Sequence, residues 1–238
     1  MKSIRVLLAL AILMAFCAPA LAGDTESGLI AHYLLDGSAD DTSGHGFNGV
    51  VEGADVAKDH CHRPNGSLLF YGVDKDIVII EDQPGLALPA SFTISAFVLP
   101  LKDAGTQVIV DKFNSGADER EFRLSLKDGC LKFCMSDTGK GGDDLFCILG
   151  GTKLSLNTWH HVAATATAAW VKLYVDGELE AMDVTSIHPA QDGPSRMFIG
   201  GNLYADEYYF TGNIDDVRIY DRSLWFTEIK TLARESCQ

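Results

Sequence analysis

Thr158-Trp159-His160-His161-Val162-Ala163-Ala164-Thr165-Ala166, continued by Trp170-Val171-Lys172-Leu173-Tyr174-Val175-Asp176-Gly177-Glu178-Leu179-Glu180-Ala181, is the stretch that decides the fold class. Between Asn157 and Val184 apolar side chains recur with a period of two, the spacing of strands that bury one face. Val162, Ala164 and Ala166 share a face of the first strand. Val171, Leu173 and Val175 share a face of the second, with Trp170, Lys172 and Tyr174 opposite. Asp176-Gly177 suits a two-residue hairpin turn, whose central residues need positive φ. Three strands in a meander make the chain antiparallel β. The run holds no pair of acids fit for acid–base work, so it points away from catalysis.

Outward from the meander, strand signals recur between Gly, Pro, Asn and Asp. They cover Leu29–Leu35, Ser67–Tyr71, Ile77–Ile80, Ser91–Pro100, Gln107–Lys112 and Glu121–Lys127. Leu131–Met135 and Leu145–Leu149 read as a hairpin with a Gly-rich tip. Met197–Gly200, Tyr208–Gly212 and Ile214–Tyr220 follow. Regularly spaced short strands of this kind indicate a sandwich or barrel. The tail, Trp225–Arg234, is the one helix candidate. Glu228 in its first turn and Arg234 near its end suit the helix dipole.

The ends and the composition set the setting. Lys2 and Arg5 precede the apolar run Val6–Phe16, and Ala20-Leu21-Ala22 is a small-x-small cleavage site. That is the pattern of a secretory signal peptide over residues 1–22. The run is shorter than the roughly 20 apolar residues a bilayer span requires. A lipoprotein reading centred on Cys17 is disfavoured by bulky Phe16. We therefore expect a single domain over 23–238, exported to the periplasm or beyond, with no membrane insertion after cleavage. The formal net charge is −14, and −16 once Lys2 and Arg5 leave with the signal. Such a surface repels nucleic acid and anionic lipid.

Five cysteines follow the signal: Cys61, Cys130, Cys134, Cys147 and Cys237. Export permits disulfides. Cys130 and Cys134 stand about 13 Å apart on one face of one strand, too far to pair. In the hairpin register Cys147 faces Cys134 or, after a slip, Cys130; the pair Cys134–Cys147 is preferred. Cys61 and Cys237 are a second candidate pair, and an odd count leaves one cysteine over. The spacing does not suit zinc, because no Cys-x-x-Cys occurs.

Three blocks together resemble a known family. They are Ser91-Phe92-Thr93-Ile94-Ser95-Ala96-Phe97-Val98-Leu99-Pro100, the Trp159/Asp176-Gly177 meander, and Phe198-Ile199-Gly200-Gly201 with Phe210-Thr211-Gly212-Asn213-Ile214-Asp215-Asp216-Val217-Arg218-Ile219-Tyr220. The chain resembles the laminin-G-like, concanavalin A-like jelly roll of bacterial secreted proteins from about Leu29 to Ile229. The family usually carries Trp where this chain has Phe97. The resemblance implies an all-β, two-sheet antiparallel sandwich of jelly-roll type. It implies little about function, since the fold carries lectins, adhesion modules, enzyme accessory domains and some glycosidases.

Three candidate chemistries arise. The loop Asp36–Gly49 is dense in oxygen ligands and glycine, and calcium takes about 6–8 oxygens. In jelly rolls of this type the first and last strands are neighbours, which would bring Asp36 or Asp41 near Asp215 or Asp216. A carboxylate inside an otherwise buried strand must be paired or metal-bound. A structural calcium on Asp36, Asp41, Asn48, Asp215 and Asp216 is one expectation; an ion-pair network with Arg218 is the other. The second chemistry is a glycan surface on Asn202, Tyr204, Asp206, Tyr208 and Tyr209, where flat rings and planar polar groups alternate; Asp137–Asp144 is a second rim. The third is catalysis. The Glu-x-Asp-x-x-Glu arrangement of sandwich glycosidases, with carboxylates roughly 5–5.5 Å apart for retention, is absent. Asp118-Glu119-Arg120-Glu121 reads as a solvated turn, and Trp159, His160 and His161 as scaffold. The expected function is a non-catalytic module that binds extracellular carbohydrate or protein by loops at the sandwich edge. A glycosidase-like enzyme and a structural or adhesion protein are the alternatives.

Overall fold

The structure, a computed structural model, describes residues 24–73, 76–189, 193–204 and 208–234. The expected signal peptide, Asp206 and Cys237 lie outside these residues. The strands are β1 (Leu29–Tyr33), β2 (Gly49–Glu52), β3 (Asp55–Ala57), β4 (Ser67–Tyr71), β5 (Ile77–Ile80), β6 (Phe92–Pro100), β7 (Thr106–Asn114) and β8 (Glu119–Lys127). They continue with β9 (Cys130–Gly139), β10 (Leu145–Lys153), β11 (His160–Ala166), β12 (Trp170–Val175), β13 (Glu178–Val184), β14 (Met197–Ile199) and β15 (Thr211–Tyr220); helix α1 (Phe226–Leu232) follows. One sheet runs β13-β12-β11-β6-β15-β4-β3, with β1 also on β15. The other runs β10-β9-β8-β7-β14-β5-β2. All pairings are antiparallel, and the architecture is a jelly-roll β-sandwich.

The period-two pattern explains the core. Val162, Ala164, Ala166, Val171 and Leu173 face inward to meet Phe122, Leu124, Leu126, Leu131 and Phe133 from the other sheet. The hairpin turn at Asp176-Gly177 has φ 51° and 78°, so both residues take the left-handed values the sequence signal requires. Cys134 and Cys147 are direct cross-strand partners and form the expected disulfide. Cys130 is a free thiol. Cys61 is disulfide-bonded; the pairing expected for it, with Cys237, falls outside the described residues.

Two expectations change. Tyr208–Gly212 and Ile214–Tyr220 are not two strands. A single strand, β15, runs from Thr211 to Tyr220 and takes in the end of the first and all of the second. The short β2 and β3 were not legible, because four and three residues are too few for a periodic signal.

Two features of the eight-stranded sheet prepare the site. The first is a bulge in β15: the register against β6 shifts between Asp215 and Arg218, and Asp216 sits at φ 49°. Ile214, Val217 and Ile219 all reach the core, which strict alternation would forbid. The extra residue absorbs the mismatch and keeps Asp216 out of the core. The second is the cover on the outer face. There Ile229 and Leu232 of α1, with Leu224 just before it, pack onto Ala163, Tyr174 and Tyr220. Glu228 fixes the start of the helix by accepting from the Trp225 N–H at 2.7 Å and from both terminal nitrogens of Arg222 at 2.8 and 2.9 Å.

Candidate functional site

Beside α1, the same outer face carries a polar trough. It is built where three strands place outward side chains in register: His161 on β11 opposite Phe97 on β6, and Phe97 opposite Asp215 on β15. Directly opposed residues of antiparallel strands share a face, so these three form a row across the sheet. The β3–β4 connection, residues 58–66, folds over it.

That loop is shaped by its own side chains. The Asp59 carboxylate accepts from the N–H groups of Cys61 (2.8 Å) and Arg63 (2.7 Å) and from Arg63 Nε (2.6 Å). Gly66 closes the turn against Asp59, where a Cβ would come within 2.7 Å of a carboxylate oxygen. The loop so formed aims His60 at the sheet. Its ring lies flat on Phe97, with centroids 3.8 Å apart and planes 3° apart. Its Nδ1 stands 2.6 Å from Asp215 Oδ2. Next to it, Asp216 Oδ1 accepts from Arg218 Nε at 2.9 Å and meets His32 Nε2 on β1 at 2.6 Å.

Two cavities flank His60. One, of about 580 Å3, is lined by Asp36, Arg63, Asn65, Asp215, Asp216 and Arg218 among others. The second, of about 530 Å3, is lined by Lys58, His62, Asn157, Thr158, Trp159 and Asn213 with Leu99. Asp59 and His60 line both, so the cavities are two lobes of one trough. Trp159 forms a half-buried wall and meets the His60 ring edge-on at 6.3 Å.

The electrostatics follow from burial and pairing. Burial raises the Asp215 carboxyl, and the bond from His60 does not fully offset it. Burial acts on Asp216 as well, but the bond from His32 and the charge of Arg218 outweigh it and hold that carboxyl below the usual range. For His60, burial works against the charged form, and the carboxylates of Asp215, Asp216 and Asp59 overcome it and raise its pKa. For His161 the charges of Asp216 and Asp176 do not offset burial. Burial pushes it down to about 4, and its Nδ1 finds no hydrogen bond.

The structure divides the five expected calcium ligands. Asp36, Asp215 and Asp216 share the larger lobe. Asp41 serves a different purpose. Its oxygens accept from the N–H groups of His32, Ser43 and Phe47 and from the Ser43 hydroxyl, while its own N–H donates to Asn48 Oδ1. Among the described residues, no three His, Cys, Asp or Glu side chains converge as a metal site.

The aromatic loop lies over the seven-stranded sheet and is largely spent on structure. Asn202 is buried, donating to Asp111 Oδ2 (2.6 Å) and the Phe113 carbonyl (2.7 Å). Tyr209 is buried too, and Tyr208 lies against the Arg123 guanidinium at 4.9 Å. Tyr204 is exposed, its ring edge-on to Phe198. In the Asp137–Asp144 hairpin Thr138 donates to Asp144. Glu121 is not solvated: it is buried and pairs with fully buried Lys112 at 2.7 Å. His160 bonds Asp176 at 2.9 Å and is scaffold, whereas His161 and Trp159 belong to the trough region.

Sequence reasoning passed over Asp59, His60 and Asn213. A signal was present: Lys58-Asp59-His60-Cys61-His62-Arg63 packs acid, imidazole and cation into one short polar segment.

Comparison with known proteins agrees with this fold. The profile of the family described as the concanavalin A-like lectin/glucanases superfamily matches residues 47–230. The binding domain of Paraclostridial Mosquitocidal Protein 1 superposes with a TM-score of 0.70 at 20% identity, covering 88% of this chain and 52% of that one. The botulinum neurotoxin serotype G binding domain gives 0.66 at 17%, covering 86% and 50%. Domain 4 of AbnA, a GH43 extracellular arabinanase from Geobacillus stearothermophilus solved in complex with arabinotriose, gives 0.62 at 20%, covering 86% and 98%. The chain thus spans about half the length of the toxin binding domains it matches. At these identities the likeness establishes the fold. No curated protein matches the sequence.

Proposed function

This chain belongs to the concanavalin A-like lectin/glucanases superfamily, and on that premise we propose that it is an exported, non-catalytic binding module that holds an extracellular glycan in the trough. One observation carries the reading: Trp159 walls a lobe that also presents planar or hydroxyl-bearing side chains, among them Asn157, Thr158, His62 and Asn213. An aromatic face for stacking beside side chains that hydrogen-bond in a plane is the chemistry sugar rings require. A solved relative of this fold was crystallised with arabinotriose, which supports the ligand class without assigning it. A protein partner is the other ligand the fold can serve. Among the described residues no helix is long and apolar enough to cross a membrane.

The non-catalytic part rests on how the acids are used. A general acid or base must present its proton site to the substrate. Asp215 is engaged by His60, Asp216 by His32 and Arg218, and Asp59 by its own loop. One observation favours a hydrolase: Asp215 and Asp216 are adjacent and their pKa values are pushed in opposite directions, the pattern of an acid beside a base. Release of reducing sugar by the wild type, lost in Asp215→Asn, would establish that second reading.

The binding reading is tested on a glycan array followed by calorimetry. Trp159→Ala is expected to weaken binding about tenfold, the scale of one lost aromatic stack of about 1.4 kcal/mol. Tyr204→Ala is expected to leave it unchanged. The opposite pattern would move the site to the aromatic loop.

A further inference from the structure

His60 occupies its place in the way a ligand would. A sugar ring that binds a protein lays a face on an aromatic ring and gives hydroxyl hydrogens to a carboxylate. The His60 imidazole lies flat on Phe97 and bonds Asp215. It lies over Phe97, an outward-facing aromatic that is only 6% exposed. The third member of the row completes the pattern. His161 is 3% exposed, meets the Phe97 ring edge-on at 5.1 Å, and keeps Nδ1 without a partner. A buried polar atom without a hydrogen bond is costly, and such atoms are few in folded proteins.

We propose that the row His161–Phe97–Asp215 is a cryptic subsite for a neutral sugar ring, and that loop 58–66 covers it with His60 as a built-in competitor. This deepens the glycan reading above and rests on it. In the covered state the trough is two lobes with His60 between them. When the loop lifts, the lobes join into one continuous channel. Phe97 then offers the stacking face, Asp215 accepts a hydrogen bond from a sugar hydroxyl, and His161 Nδ1 gains its missing bond.

The loop is built for such a movement. The bonds that shape it, from Asp59 to Cys61 and Arg63, are internal and travel with it. Its direct ties to the row are the His60 bonds to Asp215 and the stack on Phe97. The flanking strands β3 and β4 stay paired through Asp55–Leu69 and Ala57–Ser67. Apparent affinity is the intrinsic affinity multiplied by the fraction of open molecules. Removing the competitor therefore tightens binding without adding a contact.

The test uses the full exported chain and a fixed probe set of neutral trisaccharides (arabinotriose, cellotriose, laminaritriose and mannotriose), read by calorimetry, with melting curves to confirm folding. His60→Ala is expected to tighten the best binder about tenfold. Phe97→Leu in the His60→Ala background keeps the apolar volume, removes the flat face, and is expected to cancel that gain. If the wild type binds a probe and His60→Ala leaves the affinity equal or weaker, His60 is a ligand contact or a strut and the cryptic subsite is overturned. If Phe97→Leu leaves the gain intact, the row is not the subsite. If neither wild type nor His60→Ala binds any probe while array binding to other glycans persists, the ligand class is wrong. Silence of both proteins on the whole array sinks the glycan reading itself.

Discussion

The outer face of the eight-stranded sheet carries two covers of opposite chemistry. Helix α1 and the Leu224 that leads into it cover one part, with Leu224, Ile229 and Leu232 on Ala163, Tyr174 and Tyr220. Loop 58–66 covers the other with a histidine on a phenylalanine and an aspartate. The first contact is apolar and non-directional, so nothing is gained by parting it. The second is directional, and a ligand can replace it bond for bond. Two covers on one sheet thus show how the same surface serves as scaffold in one half and as a site in the other.

The contrast can be broken first at the helix. Ile229→Ala is expected to cost about 2–4 kcal/mol of stability in denaturant unfolding, the range for truncating a fully buried aliphatic side chain, and to leave glycan affinity unchanged in the folded protein. An altered affinity would show that the covers are coupled. The boundary between them is sharpened by acid. His161 titrates near 6.5 in an unfolded chain and at about 4 in the fold. The folded state therefore binds fewer protons between those values. This contribution to stability is full above pH 6.5 and lost as pH falls towards 4, on the order of 3 kcal/mol. His60, with its raised pKa, runs the other way: its contribution is full below pH 6.5 and lost as pH rises through the folded value. Unfolding measured from pH 7 to 4 is expected to show the His161 loss, and His161→Gln to flatten it. The smallest effect is expected from a chelator, which should shift Tm by less than about 1 °C. A fall of several degrees would assign a cation to Asp36, Asp215 and Asp216 and make the trough a metal-stabilised site.

The scaffold half was legible because its signals are local. The period of two across β11 and β12, the Asp176-Gly177 turn and the apolar helix at the end each act within a few residues. The site half was not, because its contacts span the chain: His60 meets Asp215 at a separation of 155 residues, and His32 meets Asp216 at 184. Asp215 and Asp216 stood out as acids in a buried strand, but their partners could not be read without knowing what folds over them. The 202–209 loop shows the converse. Its composition is that of an exposed recognition loop, yet Asn202 serves Asp111 and Tyr209 is buried. Composition states what side chains can do, and tertiary contacts state whether they are free to do it.

The bulge at Asp216 gives β15 the equivalent of a frameshift. A strand is read two residues at a time, and the reading resets at Asp216: upstream, Ile214 marks the inward phase, and downstream Val217 and Ile219 do. Deleting Asp216 would restore a single phase with Val217 and Ile219 still inward, and would remove the carboxylate that His32 and Arg218 bond. Exchanging Asp216 for another residue would leave the phase alone. The bulge is thus a place where one residue is carried for its side chain alone: the strand's inward phase does not need it, and the trough does.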